Sequence, residues 1–318
     1  MNSESFNLSN SWIYKVTFRY ISLILCLIPE PFPLSIVKTY TATFVFPIIC
    51  NDAQRFYGMI MGSEMFQNRK VVKENMKHVK IMGVPFLHID QNNFVKLLDD
   101  RATKREKTFV ITANPEIVMR ANEDPILMQY INEATYICAD GIGVVKAASL
   151  LGQDLPGRVT GYDTMVELLK IGNEKRYKVY LLGAQKETIE KTVANINRDY
   201  PNVEIVGYHD GFFDWNNNNI AEEAAALKPD FIFIALGVPR QEKWISENKD
   251  KFSHGVFMGI GGSFDVIAGT VKRAPVLWQK LNIEWLYRLL KQPSRWKRML
   301  VLPQFALKVL AMKRKGKV

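Results

Sequence analysis

The sequence predicts an α/β fold, a mostly parallel sheet covered by helices on both faces, with a basic helical appendage at the C-terminal end. Three observations carry this. From Met76 onward short β-rich runs alternate with helical patterns, two helix starts show a capping residue before proline, and the net positive charge is concentrated in the last 48 residues.

The β-rich runs lie at 78–82, 108–112, 136–138, 178–182, 203–208, 231–235 and 255–259. Asn114-Pro115 and Asp124-Pro125 each set a capping side chain before Pro at the first helical position. Asp163 is expected to cap a helix over 164–170, and 188–198 has apolar residues at helical spacing. Beyond 271 no strand signal appears. The pattern there predicts a helix over 276–290, a break at Gln292-Pro293, and a helix over 295–313 interrupted by Pro303. Three zones follow: an atypical extension at 1–75, a core at 76–270 and a basic helical appendage at 271–318. The extension has apolar bursts at 21–28 and 43–50, but proline or charge breaks each before the roughly 20 residues a membrane span needs. It reads as a segment ahead of a start at Met76, with a weak membrane anchor as the second reading.

Charge and composition exclude several classes. The chain has 318 residues and a net charge of +10, yet 271–318 alone carries 13 Lys and Arg against one acid, Glu284. The body is therefore close to neutral and the end strongly basic, which favours a phosphate-bearing partner. Three cysteines without a C-x-x-C pair and four scattered histidines exclude a disulfide framework and a zinc site. Gly141 and Gly143 supply two glycines of a dinucleotide fingerprint, but Lys146 stands where the third belongs, and no phosphate-binding G-x-x-x-x-G-K-[ST] loop occurs. There is no Asp-x-Asp, so charge on a departing diphosphate falls to arginines, amides and helix ends.

In a parallel sheet the ligand sits beyond the carboxyl ends of the strands. Five such ends are chemically loaded: Thr112 with Asn114, Asp140 before Gly141, Gly183, Gly237 with Gln241, and Gly259 through Asp265. Glycine before a helix lets backbone N–H groups approach an anion. Singly, Gly183 and Gly237 read as tight turns, Asp140 as a helix cap and Arg158 as a loop charge. In the tail Arg288, Arg295 and Arg298 alternate with Trp278, Trp285, Tyr287, Trp296 and leucines, the composition of a helix lying in an anionic membrane surface. Nucleic acid is disfavoured as a partner, because a phosphate-reading arm needs no such apolar content.

Six motifs in order, T-A-N-P-E-I-V (112–118), A-D-G-I-G-V-V (139–145), L-P-G-R-V-T-G-Y-D (155–163), L-L-G-A (181–184), A-L-G-V-P-R-Q-E (235–242) and G-I-G-G-S-F-D (259–265), resemble the WecG/TagA/CpsF glycosyltransferases, glycosyltransferase family 26. The resemblance implies a modified Rossmann-like core and an inverting, metal-independent enzyme without cofactor. It implies transfer of N-acetylmannosamine from its UDP donor to undecaprenyl-diphospho-N-acetylglucosamine, on the cytoplasmic face of the bacterial membrane, for wall teichoic acid. Asp140 is then the general base. Thr112, Asn114, Arg158, Gly183, Gly237, Gln241 and Asp265 line the substrate site, and Arg288, Arg295 and Arg298 reach the lipid diphosphate and the membrane. A uronic-acid donor or a capsule product is the alternative within the family. A nicotinamide oxidoreductase and a non-catalytic binding module are the alternatives outside it. The sequence leaves open whether the chain forms a homo-oligomer.

Overall fold

A computed structural model describes residues 76–293 and 296–314, within one compact unit spanning 69–318. The readings of 1–75, of Arg295 and of the closing basic run at 315–317 lie outside the described residues. The fold is α/β, as expected.

The described chain opens with a hairpin of β1 (His78–Ile81) and β2 (Val84–Leu87), turned by Met82 and Gly83 with φ of 49° and 84°. Positive φ at both central residues matches the twist of the paired strands. Strand β2 was not expected, because Pro85 interrupts its run. Six strands then form one parallel sheet: β3 (Lys107–Ala113), β4 (Tyr136–Ala139), β5 (Lys178–Gly183), β6 (Glu204–His209), β7 (Phe231–Ala235) and β8 (Gly255–Gly259), in spatial order β4-β3-β8-β7-β5-β6.

Side chains alternate between the two sheet faces with a period of two. Phe109, Ile111, Ile137, Leu182, Ile234 and Phe257 enter one core, and Val110, Cys138, Leu181, Phe233 and Met258 the other. The second core is closed by α1 (Gln91–Thr103), α5 (Gly161–Lys175), α6 (Lys186–Asp199) and α9 (Ser263–Ile267). The first is closed by α2 (Pro115–Ala121), α3 (Pro125–Glu133), α4 (Ile142–Leu150), α7 (Ile220–Ala226) and α8 (Arg240–Asn248). Helices following β3 and β8 thus leave on opposite faces although these strands are neighbours, which opens a crevice at their carboxyl ends.

Three boundaries differ from expectation. Helix α5 begins one turn early: Thr160 is its cap, accepting from the Asp163 N–H at 3.1 Å, while Asp163 accepts from the Thr160 hydroxyl at 2.6 Å. The helix expected over 276–290 is two, α10 (Val276–Lys280) and α11 (Glu284–Lys291), separated where Asn282 takes φ 60°. The last segment breaks at Leu300, between α12 (Trp296–Met299) and α13 (Val301–Arg314), leaving Pro303 in the first turn of α13, where its missing N–H is harmless. Helix α13 buries Phe305 and Val309 in the first core, against α2 and α4.

Candidate active site

The crevice between β3 and β8 is stitched by Thr112, whose hydroxyl donates to the Gly259 carbonyl across the strands at 3.3 Å. The entry of α5 closes over the same point, so tightly that a side chain on Gly161 would begin 3.0 Å from the Thr112 Oγ1. Asp140 follows β4. Its N–H continues the ladder to the Ala113 carbonyl at 3.0 Å, and its side chain takes a hydrogen bond from the Gly161 N–H. Asn114 turns back on its own helix, accepting from the Ile117 N–H at 3.0 Å as the cap of α2.

Asp140 is partly exposed as a residue, while its carboxyl is enclosed. Burial pushes that carboxyl up to about 6. Arg288, Arg158 and the Gly161 N–H pull against the rise, and Glu284 adds to it. Charges from α11 therefore act directly on the group at the end of β4. Arg158 lies 3.6 Å from Glu284, which also pairs with Arg288 one turn along its own helix. A second link ties the appendage down. Arg273 holds Asp163 through contacts of 2.7 and 2.9 Å and covers the Tyr162 ring at 4.6 Å. Although burial opposes it, the Arg273 and Thr160 hydrogen bonds keep Asp163 below the usual carboxylate range.

The first turn of α8 approaches from the other side. Gln241 accepts from the Gly261 N–H at 3.3 Å and donates to Glu242 at 2.9 Å; both side chains are buried. Gly259 leaves room for this amide, since a Cβ would sit 2.6 Å from the Gln241 Nε2 and push that side chain aside. Glu242 is 1% exposed, and one carboxyl oxygen has no hydrogen-bond partner. Burial pushes it up to about 7, against the pull of Gln241, its own backbone N–H and Arg120.

The structure thus gathers Asp140, Arg158 and Arg288 at one point and Gln241 at another, with Thr112 between them. Asp265 lies in the first turn of α9, beside Gly262 and past the end of β8. Gly183 and Gly237 are strand-end turns, with φ of 124° and 75°. At Gly183 a Cβ would meet the Ala235 carbonyl oxygen at 2.4 Å, so close backbone packing accounts for that glycine. Arg298 is 3.8 Å from Glu116 at the start of α2, and the largest charge effects on Asp140 come from other residues. A small recess lined by Lys107, Glu133, Lys249 and Asp250 lies at the amino ends of the strands, remote from this chemistry, and its charges pair with one another. Among the described residues no group of three or more His, Cys, Asp or Glu is placed to hold a metal ion, and no helix is long and apolar enough to cross a membrane.

A family model, the glycosyl transferase WecG/TagA/CpsF family, matches residues 79–318, which takes in both the crevice and the helices that cover it. The chain belongs to this family. It is a glycosyltransferase, which removes the oxidoreductase and the non-catalytic module as readings. Three similar proteins carry the name N-acetylglucosaminyldiphosphoundecaprenol N-acetyl-beta-D-mannosaminyltransferase. The one from Bacillus subtilis strain 168 is 40% identical over 236 residues, 74% of this chain and 92% of its own. That from Bacillus spizizenii is 39% identical over 240 residues, covering 75% and 93%. That from Staphylococcus aureus strain MW2 is 39% identical over 250 residues, covering 77% and 97%.

Within this WecG/TagA/CpsF chain, three residues of the site escaped the sequence reading. Glu284 was visible as the one acid in the basic tail, Arg273 as one charge among many, and Glu242 as the end of A-L-G-V-P-R-Q-E. None carried a signal of its partner.

Proposed function

We propose that this glycosyltransferase moves N-acetylmannosamine from its UDP donor to undecaprenyl-diphospho-N-acetylglucosamine, with inversion, giving the β-1,4-linked lipid disaccharide that anchors wall teichoic acid. The substrates follow the shared name of relatives aligned over nearly their whole length. The observation that carries the chemistry is Asp140, an enclosed carboxyl held near 6 at the carboxyl end of β4 with two arginines acting on it.

An acid of that strength is about nine-tenths ionised at pH 7, so it is charged at neutral pH yet more basic than an ordinary aspartate. It removes the proton from the attacking sugar hydroxyl as the oxygen approaches the anomeric carbon from the side opposite UDP. The bond from that carbon to the diphosphate breaks, and the electron pair leaves with UDP. One carboxyl suffices, because inversion forms no covalent sugar–enzyme intermediate. Arg158 and Arg288 are the cations nearest the charge that grows on the leaving group and stabilise it there. The lack of any Asp-x-Asp supports a metal-independent transfer, for which undiminished activity in a chelator is the check.

The acceptor's lipid remains in the bilayer, so the crevice has to work at its surface, in this reading the cytoplasmic one. Val276, Leu277, Leu281, Trp285 and Leu290 are exposed on α10, α11 and their link, among the basic residues of that segment. Such a surface suits the interface of an anionic membrane. Incubation with UDP-N-acetylmannosamine and a short-chain diphospholipid acceptor is expected to yield a lipid heavier by one N-acetylhexosamine. Transfer only from the uronic-acid donor would reassign the substrate.

A further inference from the structure

Glu284 is the single acid among 13 Lys and Arg in residues 271–318. At the first turn of α11 it complements the helix dipole, which by itself would explain a solvated side chain. It is not solvated. Its side chain is only 12% exposed, it pairs with Arg288 of its own helix, and it faces Arg158 of the core at 3.6 Å. Both guanidinium groups also act on Asp140. Two carboxylates therefore share two arginines, and the four charges of the cluster balance one another. A diphosphate entering a balanced, half-closed cluster would be repelled by two acids, one of which the chemistry needs and one of which it does not.

We propose that Glu284 is an internal placeholder for substrate phosphate: it holds Arg158 and Arg288 beside Asp140 in the empty site and yields both to the incoming diphosphate. This rests on the transfer reaction proposed above and adds a positioning residue to it. The placeholder keeps two arginines ordered where they would otherwise repel each other. It also favours ligands charged enough to displace a carboxylate over singly charged anions.

The test is calorimetric titration of the full chain with UDP and with inorganic pyrophosphate. Glu284→Gln preserves shape and removes charge, and is expected to tighten both by about tenfold, roughly one displaced ion pair in a partly buried setting. The gain should vanish in the double variant Glu284→Gln with Arg158→Gln, because the freed cation is then missing. A purely structural latch would not produce either result, and would not move the pH profile. The groups facing Asp140 are Arg288 and Glu284 from α11, Arg158 and the Gly161 N–H from the entry of α5, and the Cys138 thiol from β4. Of these only Glu284 is a competing carboxylate, so its neutralisation should move the acid limb of turnover to lower pH. Unchanged or weaker binding of UDP by Glu284→Gln, where Arg158→Gln alone does weaken it, overturns the placeholder and leaves the reaction standing. Absence of UDP binding by the parent chain overturns the reaction and the placeholder together.

Discussion

Asp140 and Glu242 are two carboxylates on one sheet edge, both lifted by burial, to about 6 and about 7, yet their surroundings differ in kind. Glu242 sits at the start of α8 among an amide, its own backbone and Arg120, none of which belongs to the C-terminal helices. Asp140 is set by Arg288 and Glu284, both carried on α11, and by Arg158, which that helix engages. Burial without such charges leaves Glu242 about half protonated near pH 7, held by a neighbouring amide. Burial with charges brought by a separate element makes a base whose strength depends on that element being in place.

The comparison breaks most sharply at Asp140. Asp140→Asn is expected to lower kcat by about 10²–10⁴-fold, the usual worth of a positioned base, while calorimetry finds UDP affinity little altered. Stability gives the next effect, on the other carboxyl. Because the folded chain holds the Glu242 proton to higher pH than the unfolded chain does, stability falls as pH rises from about 4.5 to about 7. Glu242→Gln removes that cost and should gain on the order of 2 kcal/mol at pH 8 and little at pH 4, read from denaturant unfolding.

Smaller again is the contribution of the outward leucines. Leu277→Glu with Leu290→Glu should weaken binding to anionic vesicles by about tenfold or more, since each exchanges an apolar contact for a like-charge repulsion, with transfer to a soluble short-chain acceptor retained. The smallest is a pH shift. The kcat/KM of the parent chain should fall below about pH 6 as Asp140 takes a proton, and Arg288→Gln should move that limb upward by about half a unit or more. A limb that stays in place would detach α11 from the base.

These differences also mark what the sequence could convey. Strands and the residues at their carboxyl ends were legible because both are local patterns. β4 leads directly into Asp140 and Gly141, and Thr112 stands one residue before the end of β3. The hairpin strand β2 was hidden by Pro85, which an edge position tolerates. The break between α10 and α11 was hidden because apolar spacing continues through Asn282, and only its positive φ divides the helices. Arg158 and Arg288 were named through the six motifs, but their pairing through Glu284 was not legible, since it joins the entry of α5 to a segment far along the chain. The same distance concealed Arg273 on Asp163. Helix α13 packs as an ordinary C-terminal helix would: Phe305 and Val309 are core residues, so removing the whole C-terminal segment would damage the fold, and point substitutions are the cleaner probes.

The most direct test of the central claim is product mass from UDP-N-acetylmannosamine and a short-chain diphospholipid acceptor at pH 7.5, with the parent chain and Asp140→Asn side by side. A lipid heavier by one N-acetylhexosamine is expected from the parent and almost none from the variant. Equal product from both would contradict Asp140 as the base.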